Sequence, residues 1–266
     1  MKYKLLALDI DGTLLNDSRQ ISDENVSAIK RAIDSGVHVT LCTGRPIQGV
    51  KKLVDTLGIK APVITYNGAE IVDPTSNNIL FKTQLLPCDA VKIAELGKEK
   101  NTTLIVWSQG RLYGYPMNDR VEDYKQIATI EPKPLEDITT LANDGITKII
   151  WYDTIDGVAR FKDELKDEEF SSVTYCTSNP KFLEFFNRQV SKKTAIESLC
   201  GILGISKEET VAIGDGYNDV PMFEGVGLSI AMGNAPDEIK SMCHKVTLDN
   251  NSNGVAKAIE QYILGE

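Results

Sequence analysis

Two short apolar runs, one near each end of the chain, lead directly into acidic turns. The first is KLLALDI, which continues into DGT, and the second is TVAI, which continues into GDGYND. A short apolar run bounded by turn residues is typical of a strand buried on both faces of a parallel sheet. We therefore expect both ends of the chain to contribute to one sheet, with acidic residues at the carboxyl ends of its strands.

Helical patterns alternate with these runs, which is typical of a doubly wound α/β fold. SDENVSAIKRAIDSG predicts a helix, because Ser22 is a favourable N-cap residue and Gly36 can end the helix. RPIQGVKKLVDTLG predicts another helix with Pro46 in its first turn, and APVITYNGAEIVD predicts a hairpin that turns at Asn67 and Gly68. The other elements predicted here are the strand VHVTLCT, the helix SKKTAIESLCGILG, the strand GLSIAM, a helix opening near Pro236 and the helix GVAKAIEQYIL.

The pattern changes in the middle of the chain, where the predicted strands come in antiparallel-looking pairs. These elements are the helix DAVKIAELGKEKN, the hairpin TTLIVWSQGRLYGY, the strand TKIIWYD, the helix DGVARFKDELKD and the strands SSVTYCTS and KFLEFFN. Paired strands with few helices predict a separate α+β unit. The predicted fold is therefore α/β, with a doubly wound, mainly parallel, Rossmann-like core at residues 1–83 and 188–266 and an inserted α+β domain at residues 84–187.

The charge of the chain narrows the range of partners. The formal net charge is −9 and the pI is about 4.9, whereas nucleic acid or an anionic membrane would need clustered basic surface. Five scattered cysteines without a CxxC pair argue against a disulfide framework or a zinc site and fit a reducing cytoplasm. The N-terminal apolar run stops at Asp9, too early for a signal peptide, and no apolar stretch is long enough to span a bilayer. We expect a soluble cytoplasmic protein that is a monomer by default, although a weak homodimer is compatible with the sequence.

Two acidic clusters are predicted to meet at one edge of the core sheet. Asp9 and Asp11 end the first strand, where side chains two residues apart share a face, while Asp215 and Asp219 follow TVAI. Carboxylates this close repel each other unless an opposite charge lies nearby. Mg²⁺ would supply it, since this ion prefers carboxylate and phosphate oxygens. A single acidic turn is most simply a solvated loop, whereas two at neighbouring strand ends predict a metal site.

Two weaker features complete a predicted phosphoryl-transfer site. Thr43 and Gly44 follow the strand VHVTLCT, where a hydroxyl and exposed backbone N–H groups can bind phosphate. Lys192 begins a predicted helix, where a cation needs an anion nearby. Taken singly, these are an ordinary turn and a surface lysine. Together with the acids, they supply a carboxylate nucleophile, an adjacent acid, a cation and phosphate donors.

These motifs resemble, in order and spacing, the four motifs of the haloacid dehalogenase superfamily of phosphatases. They are DIDGTLL, TGR, a downstream lysine and GDGYND, and the resemblance runs from residue 3 to about residue 263. The position and length of the insertion, with the tail MGNAPDEIK and NNSNGVAKAI, resemble the Cof-like sugar-phosphatase branch. The resemblance implies a Mg²⁺-dependent hydrolase of small phosphorylated metabolites, with sugar phosphates as the expected class. It also implies that the inserted α+β domain is a cap that closes over the active site and selects the substrate.

The resemblance assigns roles to individual residues as well. Asp9 would attack the phosphoryl group to form an aspartyl-phosphate, while Asp11 would protonate the leaving oxygen and then activate water. The implied Mg²⁺ ligands are Asp9, the backbone carbonyl of Asp11, Asp215 and Asp219, the last in a supporting role. The residues implied to hold the phosphate are Thr43, Lys192 and Asn218, with the backbone of Ile10 and Gly44.

One departure from the family pattern leaves the register of the lysine open. In the family the lysine is commonly followed by glycine, whereas here Lys193 follows Lys192, and either could reach the site. The place of Lys192 in the motif favours it. Two alternative functions stay open as well: a phosphomutase, which uses the same aspartyl-phosphate, and a non-catalytic sensor that binds a phosphorylated ligand without turnover.

Overall fold

The chain forms two compact units in the computed structural model, which describes residues 2–177 and 179–266. The core unit comprises the residues up to Lys82 together with Ser191–Glu266, and the inserted unit is Thr83–Val190. The sequence predicted these boundaries at 83/84 and 187/188. The predicted strand SSVTYCTS reaches Ser178, which lies outside the described residues.

The core unit is built on a five-stranded sheet in which every pair of neighbouring strands is parallel. Its strands are β1 (Leu5–Leu8), β2 (His38–Leu41), β12 (Thr210–Gly214), β13 (Leu228–Ala231) and β14 (Lys245–Val246). Their spatial order is β14-β13-β12-β1-β2, so the first strand of the chain lies in the interior of the sheet. Because the strands are parallel, the segments that follow β1, β2 and β12 emerge at the same edge.

Helices cover both faces of this sheet. They are α1 (Asp23–Asp34), α2 (Lys51–Leu57), α7 (Lys192–Leu203), α8 (Val220–Glu224), α9 (Asp237–Met242) and α10 (Gly254–Ile259), which continues into the π-helical turn Glu260–Leu264. One apolar cluster joins α1, α2 and α10 to one face through residues such as Leu6 and Leu8. A second cluster joins α7, α8 and α9 to the other face through Leu5 and Ala7. The alternation of these four residues along β1 is what a strand buried on both sides requires. The predicted doubly wound α/β class is confirmed.

Local sequence signals set several of these boundaries. Ser22 is the N-cap of α1, and its side chain accepts a hydrogen bond from the backbone N–H of Asn25. The hairpin predicted at residues 61–73 is confirmed: β3 (Val63–Thr65) pairs antiparallel with β4 (Glu70–Val72), which pairs in turn with β5 (Ile79–Lys82). The helix predicted from RPIQGVKKLVDTLG begins later than expected. Pro46 caps a 3₁₀ turn at Ile47–Gly49, and α2 starts only at Lys51. Val50 lies between the two, after Gly49, a poor helix former that ends the 3₁₀ turn.

The inserted unit is a six-stranded sheet with helices. Its elements are α3 (Pro87–Glu99), β6 (Thr103–Ser108), β7 (Arg111–Tyr115), α4 (Asp119–Ala128), β8 (Lys133–Pro134), α5 (Ile138–Asp144), β9 (Ile146–Tyr152), α6 (Ile155–Glu164), β10 (Val173–Cys176) and β11 (Phe182–Asn187). The strand order is β10-β11-β9-β6-β7-β8, and all pairs are antiparallel except β7 with β8. The sequence did not predict α4 and α5, because α4 buries few apolar residues and α5 is short. Among the described residues, no helix has both the length and the apolar character that crossing a bilayer requires.

Candidate active site

Three carboxylates converge at the edge of the core sheet where β1 and β12 end. Asp9 directly follows β1, and its backbone N–H donates to the carbonyl of Ile213 on β12 at 3.0 Å. Asp215 directly follows β12, and Asp219 lies four residues later. One oxygen from each of these three side chains lies within 4.8 Å of the other two. The parallel pairing of β1 with β12 is therefore what brings acids from the two ends of the chain together.

A single lysine bridges two of these carboxylates. Lys192 is the first residue of α7, whose N-cap Ser191 accepts a hydrogen bond from the backbone N–H of Thr194 at 3.1 Å. The Nζ of Lys192 lies 2.6 Å from Oδ1 of Asp9 and 2.5 Å from Oδ1 of Asp219. Its side chain is 0% exposed, so both contacts are shielded from solvent.

The neighbouring lysine faces another way. The side chain of Lys193 is 39% exposed, and its Nζ lies 3.5 Å from Glu224, itself exposed. Of the two lysines that the sequence left as candidates, Lys192 is therefore the one whose ammonium group is buried in this cluster.

The turn GDGYND is folded around Asp219. Its second carboxylate oxygen accepts hydrogen bonds from the backbone N–H groups of Asp215 and Gly216, each at 3.0 Å. A Cβ at Gly214 would lie 2.6 Å from the same oxygen, so glycine is required for this close approach. Asp219 thus organises the turn while its other oxygen binds Lys192.

Sequence reasoning missed two residues that hold Asp215. Thr13 donates from Oγ1 to one carboxylate oxygen of Asp215 at 2.8 Å. Asn234 donates from Nδ2 to the carbonyl of Gly12 at 2.8 Å and lies 3.4 Å from the other Asp215 oxygen. Both residues stand in quoted motifs, DIDGTLL and MGNAPDEIK, but neither motif indicates which side chain the residue contacts.

The electrostatics of the cluster favour a divalent cation. Three carboxylates face one ammonium group, so the fully ionised cluster carries two negative charges in excess. Burial and the carboxylate of Asp219 raise the pKa of Asp9, against the opposing effect of Lys192. Burial also raises the pKa of Asp215 to about 6, although the hydrogen bond from Thr13 opposes it. The donor set is made of hard carboxylate oxygens, which suits Mg²⁺.

The side chain of Asp11 lies outside this carboxylate cluster. It is 59% exposed and forms a two-pronged ion pair with Arg45, whose Nε donates at 2.9 Å to one oxygen and whose Nη2 binds the other. Arg45 stands in the motif TGR, but nothing in that motif indicates a contact with Asp11. The separation suits two different roles for two acids that are only two residues apart.

The residues predicted to bind phosphate differ in their burial. Thr43 is buried, and its Oγ1 accepts a hydrogen bond from the backbone N–H of Arg45 at 3.2 Å. The side chain of Ile10 is fully buried in the apolar core, so only its backbone could serve a ligand. Asn218 is exposed beside Gly216, where a Cβ would lie 2.5 Å from the amide oxygen. Among the described residues, neither Thr43 nor Asn218 hydrogen-bonds to the carboxylates.

Comparison with known proteins agrees with this arrangement. The family model for haloacid dehalogenase-like hydrolases matches residues 6–259. A 5-amino-6-(5-phospho-D-ribitylamino)uracil phosphatase of Bacillus subtilis, YwtE, is 35% identical over 290 aligned residues, with 99% of each chain covered. The phosphatase YwpJ of the same organism is 31% identical, with 98% of this chain and 100% of that protein covered.

A solved structure extends the similarity to three dimensions. The crystal structure of a haloacid dehalogenase-like hydrolase from Bacteroides thetaiotaomicron superposes with a TM-score of 0.88 at 27% identity, covering 97% of this chain and 99% of that one. The family match spans nearly the whole chain, including both acidic motifs. The chain therefore belongs to the haloacid dehalogenase-like hydrolases, in their Cof-like branch, and is a phosphoric monoester hydrolase.

Proposed function

We propose that this phosphatase hydrolyses small phosphorylated metabolites through an aspartyl-phosphate on Asp9, with Mg²⁺ as its cofactor. The observation that carries the proposal is the group of Asp9 and Asp219, both buried, and half-buried Asp215 around the buried cation Lys192. A buried excess of negative charge is costly in the free protein and becomes favourable when a cation binds. Lys192 also fixes one oxygen of Asp9 and leaves the carboxylate in one orientation for attack.

The chemistry divides into two half-reactions, with Asp9 as nucleophile and Asp11 as the proton carrier. A carboxylate oxygen of Asp9 forms a bond to phosphorus as the ester P–O bond breaks, and the leaving oxygen takes a proton from Asp11. Asp11 then takes a proton from water, whose oxygen attacks phosphorus and displaces the Asp9 carboxylate. Inorganic phosphate and the free alcohol are the products.

The residues that would hold Mg²⁺ are Asp9, the backbone carbonyl of Asp11 and Asp215, with Asp219 in a supporting role. When bound, the ion supplies positive charge that offsets the charge on the phosphoryl oxygens. Thr13 and Asn234 orient Asp215, and Asp219 fixes the turn that carries it. The chain thus supplies carboxylate oxygens that are already held in position before the metal ion binds.

The phosphate would be bound by Thr43, Lys192 and Asn218, with the backbone of Ile10 and Gly44. The proposed substrate class follows from the family. The name of the relative YwtE describes a phosphate ester of a ribityl chain. We therefore propose sugar and sugar-alcohol phosphates as the preferred class, selected by the inserted unit at residues 84–187 acting as a cap. A cytoplasmic monomer, or a weak homodimer, stays our expectation for the protein in the cell.

The test is phosphate release from a panel of sugar phosphates, sugar-alcohol phosphates and p-nitrophenyl phosphate, with and without Mg²⁺. The wild type should release phosphate only with the metal, and Asp9→Asn should lose release from every substrate by about 10³-fold or more. Asp55→Asn, on the exposed face of α2 where Asp55 pairs with Lys51, is the matched control and should keep full activity. Equal activity of Asp9→Asn and wild type would contradict the assignment of the nucleophile.

The same assay separates the two alternative functions. A phosphomutase would pass the phosphoryl group to a sugar hydroxyl, whereas hydrolysis in ¹⁸O-labelled water places the label in released phosphate. A non-catalytic sensor would bind phosphate esters in calorimetry and release nothing. The position of Asp11 two residues after the proposed nucleophile favours hydrolysis over sensing, since a sensor has no need for a proton carrier.

A further inference from the structure

A strained turn lies beside the predicted phosphate-binding loop. Tyr66, Asn67 and Gly68 connect β3 to β4, and all three have left-handed backbone angles, with φ of 51°, 57° and 106°. Consecutive left-handed residues are costly for side chains other than glycine, and tyrosine is among the less suited. Such strain persists only where the surrounding structure holds the segment in place.

Hydrogen bonds tie this turn to the loop Thr43–Arg45. The backbone N–H of Asn67 donates to the carbonyl of Thr43 at 2.8 Å, and that of Tyr66 donates to the carbonyl of Arg45 at 3.2 Å. The backbone N–H of Thr43 donates in turn to the carbonyl of Ile64, on β3, at 3.0 Å. The loop that is predicted to bind phosphate is therefore fixed from one side by the turn.

The same turn also contacts the start of α7. A Cβ at Gly68 would lie only 2.2 Å from the carbonyl oxygen of Ser191, the N-cap residue that precedes Lys192. Glycine is thus required for the turn to fit. The turn lies between the loop of Thr43 and the helix that carries the buried lysine, and belongs to the same site by its position.

The side chain of Asn67 has no partner in this environment. The residue is 9% exposed, and neither Oδ1 nor Nδ2 makes a hydrogen bond among the described residues. The amide lies against Gly44, where a Cβ would come within 3.1 Å of Oδ1 and 3.2 Å of Nδ2. A buried amide without a partner costs free energy, and buried polar groups in native structures are nearly always satisfied. An amide held beside a predicted anion site is satisfied most simply by the anion.

We propose that Asn67 is a further substrate-binding residue, whose Nδ2 donates a hydrogen bond to a phosphoryl oxygen held at Thr43 and Gly44. The inference rests on the proposed function, because it assumes that this loop receives the phosphate of the substrate. Asn67 stands outside the four motifs of the sequence comparison, where NG indicated only a hairpin turn. The strained backbone then has a role, since it directs the amide toward the loop.

The test compares inorganic phosphate as a competitive inhibitor of p-nitrophenyl phosphate hydrolysis by wild type, Asn67→Gly and Asn67→Asp. Glycine tolerates the left-handed backbone and removes only the amide, so the inhibition constant for phosphate should rise about tenfold or more. Aspartate has the same shape but no donor and a negative charge, so the constant should rise further. Melting temperatures should stay close to wild type for Asn67→Gly. Asn77→Gly is the matched control, since Asn77 is exposed with a φ of 58° and should leave the inhibition constant unchanged.

The outcomes separate this inference from the proposed function. Unchanged phosphate inhibition in folded Asn67→Gly, or a lowered melting temperature with unchanged inhibition, would mean that Asn67 is structural and would overturn the inference alone. Tighter or equal phosphate binding by Asn67→Asp would also overturn it, because a donor was required. If wild type hydrolyses no ester, the proposed function fails. Calorimetric titration with inorganic phosphate in the presence of Mg²⁺ then still compares Asn67→Gly with wild type, and weaker binding by the variant would support the inference.

Discussion

Each unit of this protein buries a lysine, and the two lysines face different balances of charge. In the inserted unit, Lys148 on β9 lies 2.8 Å from Glu184 on β11, and both side chains are 4% exposed. In the core unit, Lys192 is 0% exposed and contacts both Asp9 and Asp219. The charges of the first pair cancel, whereas those of the second group, with Asp215 beside it, leave an excess of negative charge.

The difference separates a structural ion pair from a site that needs a ligand. Burial lowers the pKa of Lys148 but Glu184 more than offsets this effect, so the pKa is raised and the ammonium group stays charged beside its counter-ion. The core group has hydrogen bonds from Lys192, Thr13 and backbone N–H groups, yet these do not neutralise it. A largely buried excess of charge lowers the stability of the free protein, and a bound cation would offset that cost. Burial of the lysine alone does not distinguish the Lys148–Glu184 pair from the group around Lys192, because both lysines are buried.

The largest expected effect comes from removing the lysine of the core group. Lys192→Ala should lower kcat by about 10³-fold, because the substitution removes the cation that orients Asp9 and is predicted to contact the phosphate. Lys193→Ala is the matched control and should change kcat by less than about twofold, since an exposed ion pair contributes little. Steady-state kinetics with p-nitrophenyl phosphate measures both. The reverse ranking of the two variants would mean that Lys193 is the active-site lysine.

The lysine of the inserted unit should affect stability and leave the chemistry intact. Lys148→Ala removes one partner of a buried pair, so the free energy of unfolding should fall by about 3–5 kcal/mol. The folded fraction should keep the wild-type kcat for p-nitrophenyl phosphate. Urea denaturation followed by circular dichroism gives the free energy.

A double variant tests whether that loss comes from the unpaired charge. Lys148→Met with Glu184→Leu removes both charges and fills similar volume, so stability should return to the wild-type value or exceed it. If the double variant is as unstable as Lys148→Ala, the pair contributes more than charge balance. If kcat falls with stability unchanged, Lys148 belongs to the chemistry and the comparison between the two units fails.

The sequence predicted the core fold because its signals are local and strong. The strands β1 (LLAL) and β12 (TVAIG) read as short, largely apolar runs, and the helix beginning at Asp23 has a capping serine that the structure confirms. The same argument failed for α4, whose sequence DRVEDYKQIA is largely polar and buries only Val121, Tyr124 and Ala128. A helix held by so few contacts has no clear apolar stripe. A local signal nevertheless marks its start, because Asn118 is its N-cap residue.

The site was predictable only in part, for a related reason. Asp9 and Asp215 stand at strand ends, so the topology of a parallel sheet was enough to predict that they meet. The contacts Arg45–Asp11 and Asn234–Asp215 depend on side-chain directions that no spacing rule gives. Asn67 was recognised as a turn residue, but its burial without a partner is a property of the folded chain. The roles of the individual residues stay predictions until they are measured.

Metal binding should have the next largest effect, because it acts on the charge excess directly. Mg²⁺ at about 100 times its dissociation constant should stabilise the protein by about 2.7 kcal/mol relative to protein in EDTA. Asp215→Asn should lose most of this gain, as thermal unfolding with and without the metal would show. Glu184→Gln in the inserted unit should keep it. An equal response of wild type and Asp215→Asn would exclude Asp215 as a ligand.

The pKa of Asp215 predicts how the stability of the metal-free protein depends on pH. The pKa of Asp215 is raised in the folded state to about 6, so between about pH 4 and pH 6 the folded state binds more protons than the unfolded state. The contribution of Asp215 to stability is therefore present at pH 4 and is lost as the pH rises toward 6. In EDTA, the melting temperature should fall over this range in wild type more than in Asp215→Asn. An equal fall in both proteins, or a rise in the wild type, would contradict the raised pKa.

The smallest effect should come from Arg45, which acts on the reaction through Asp11. Its guanidinium binds both carboxylate oxygens of Asp11 in a fork that a lysine cannot reproduce. Arg45→Ala should lower kcat about tenfold with little change in KM, since the loss of orientation affects proton transfer more than binding. Arg45→Lys should fall between alanine and wild type. An effect confined to KM would instead make Arg45 a substrate ligand, and it would place a second cation in contact with the phosphate beside Lys192.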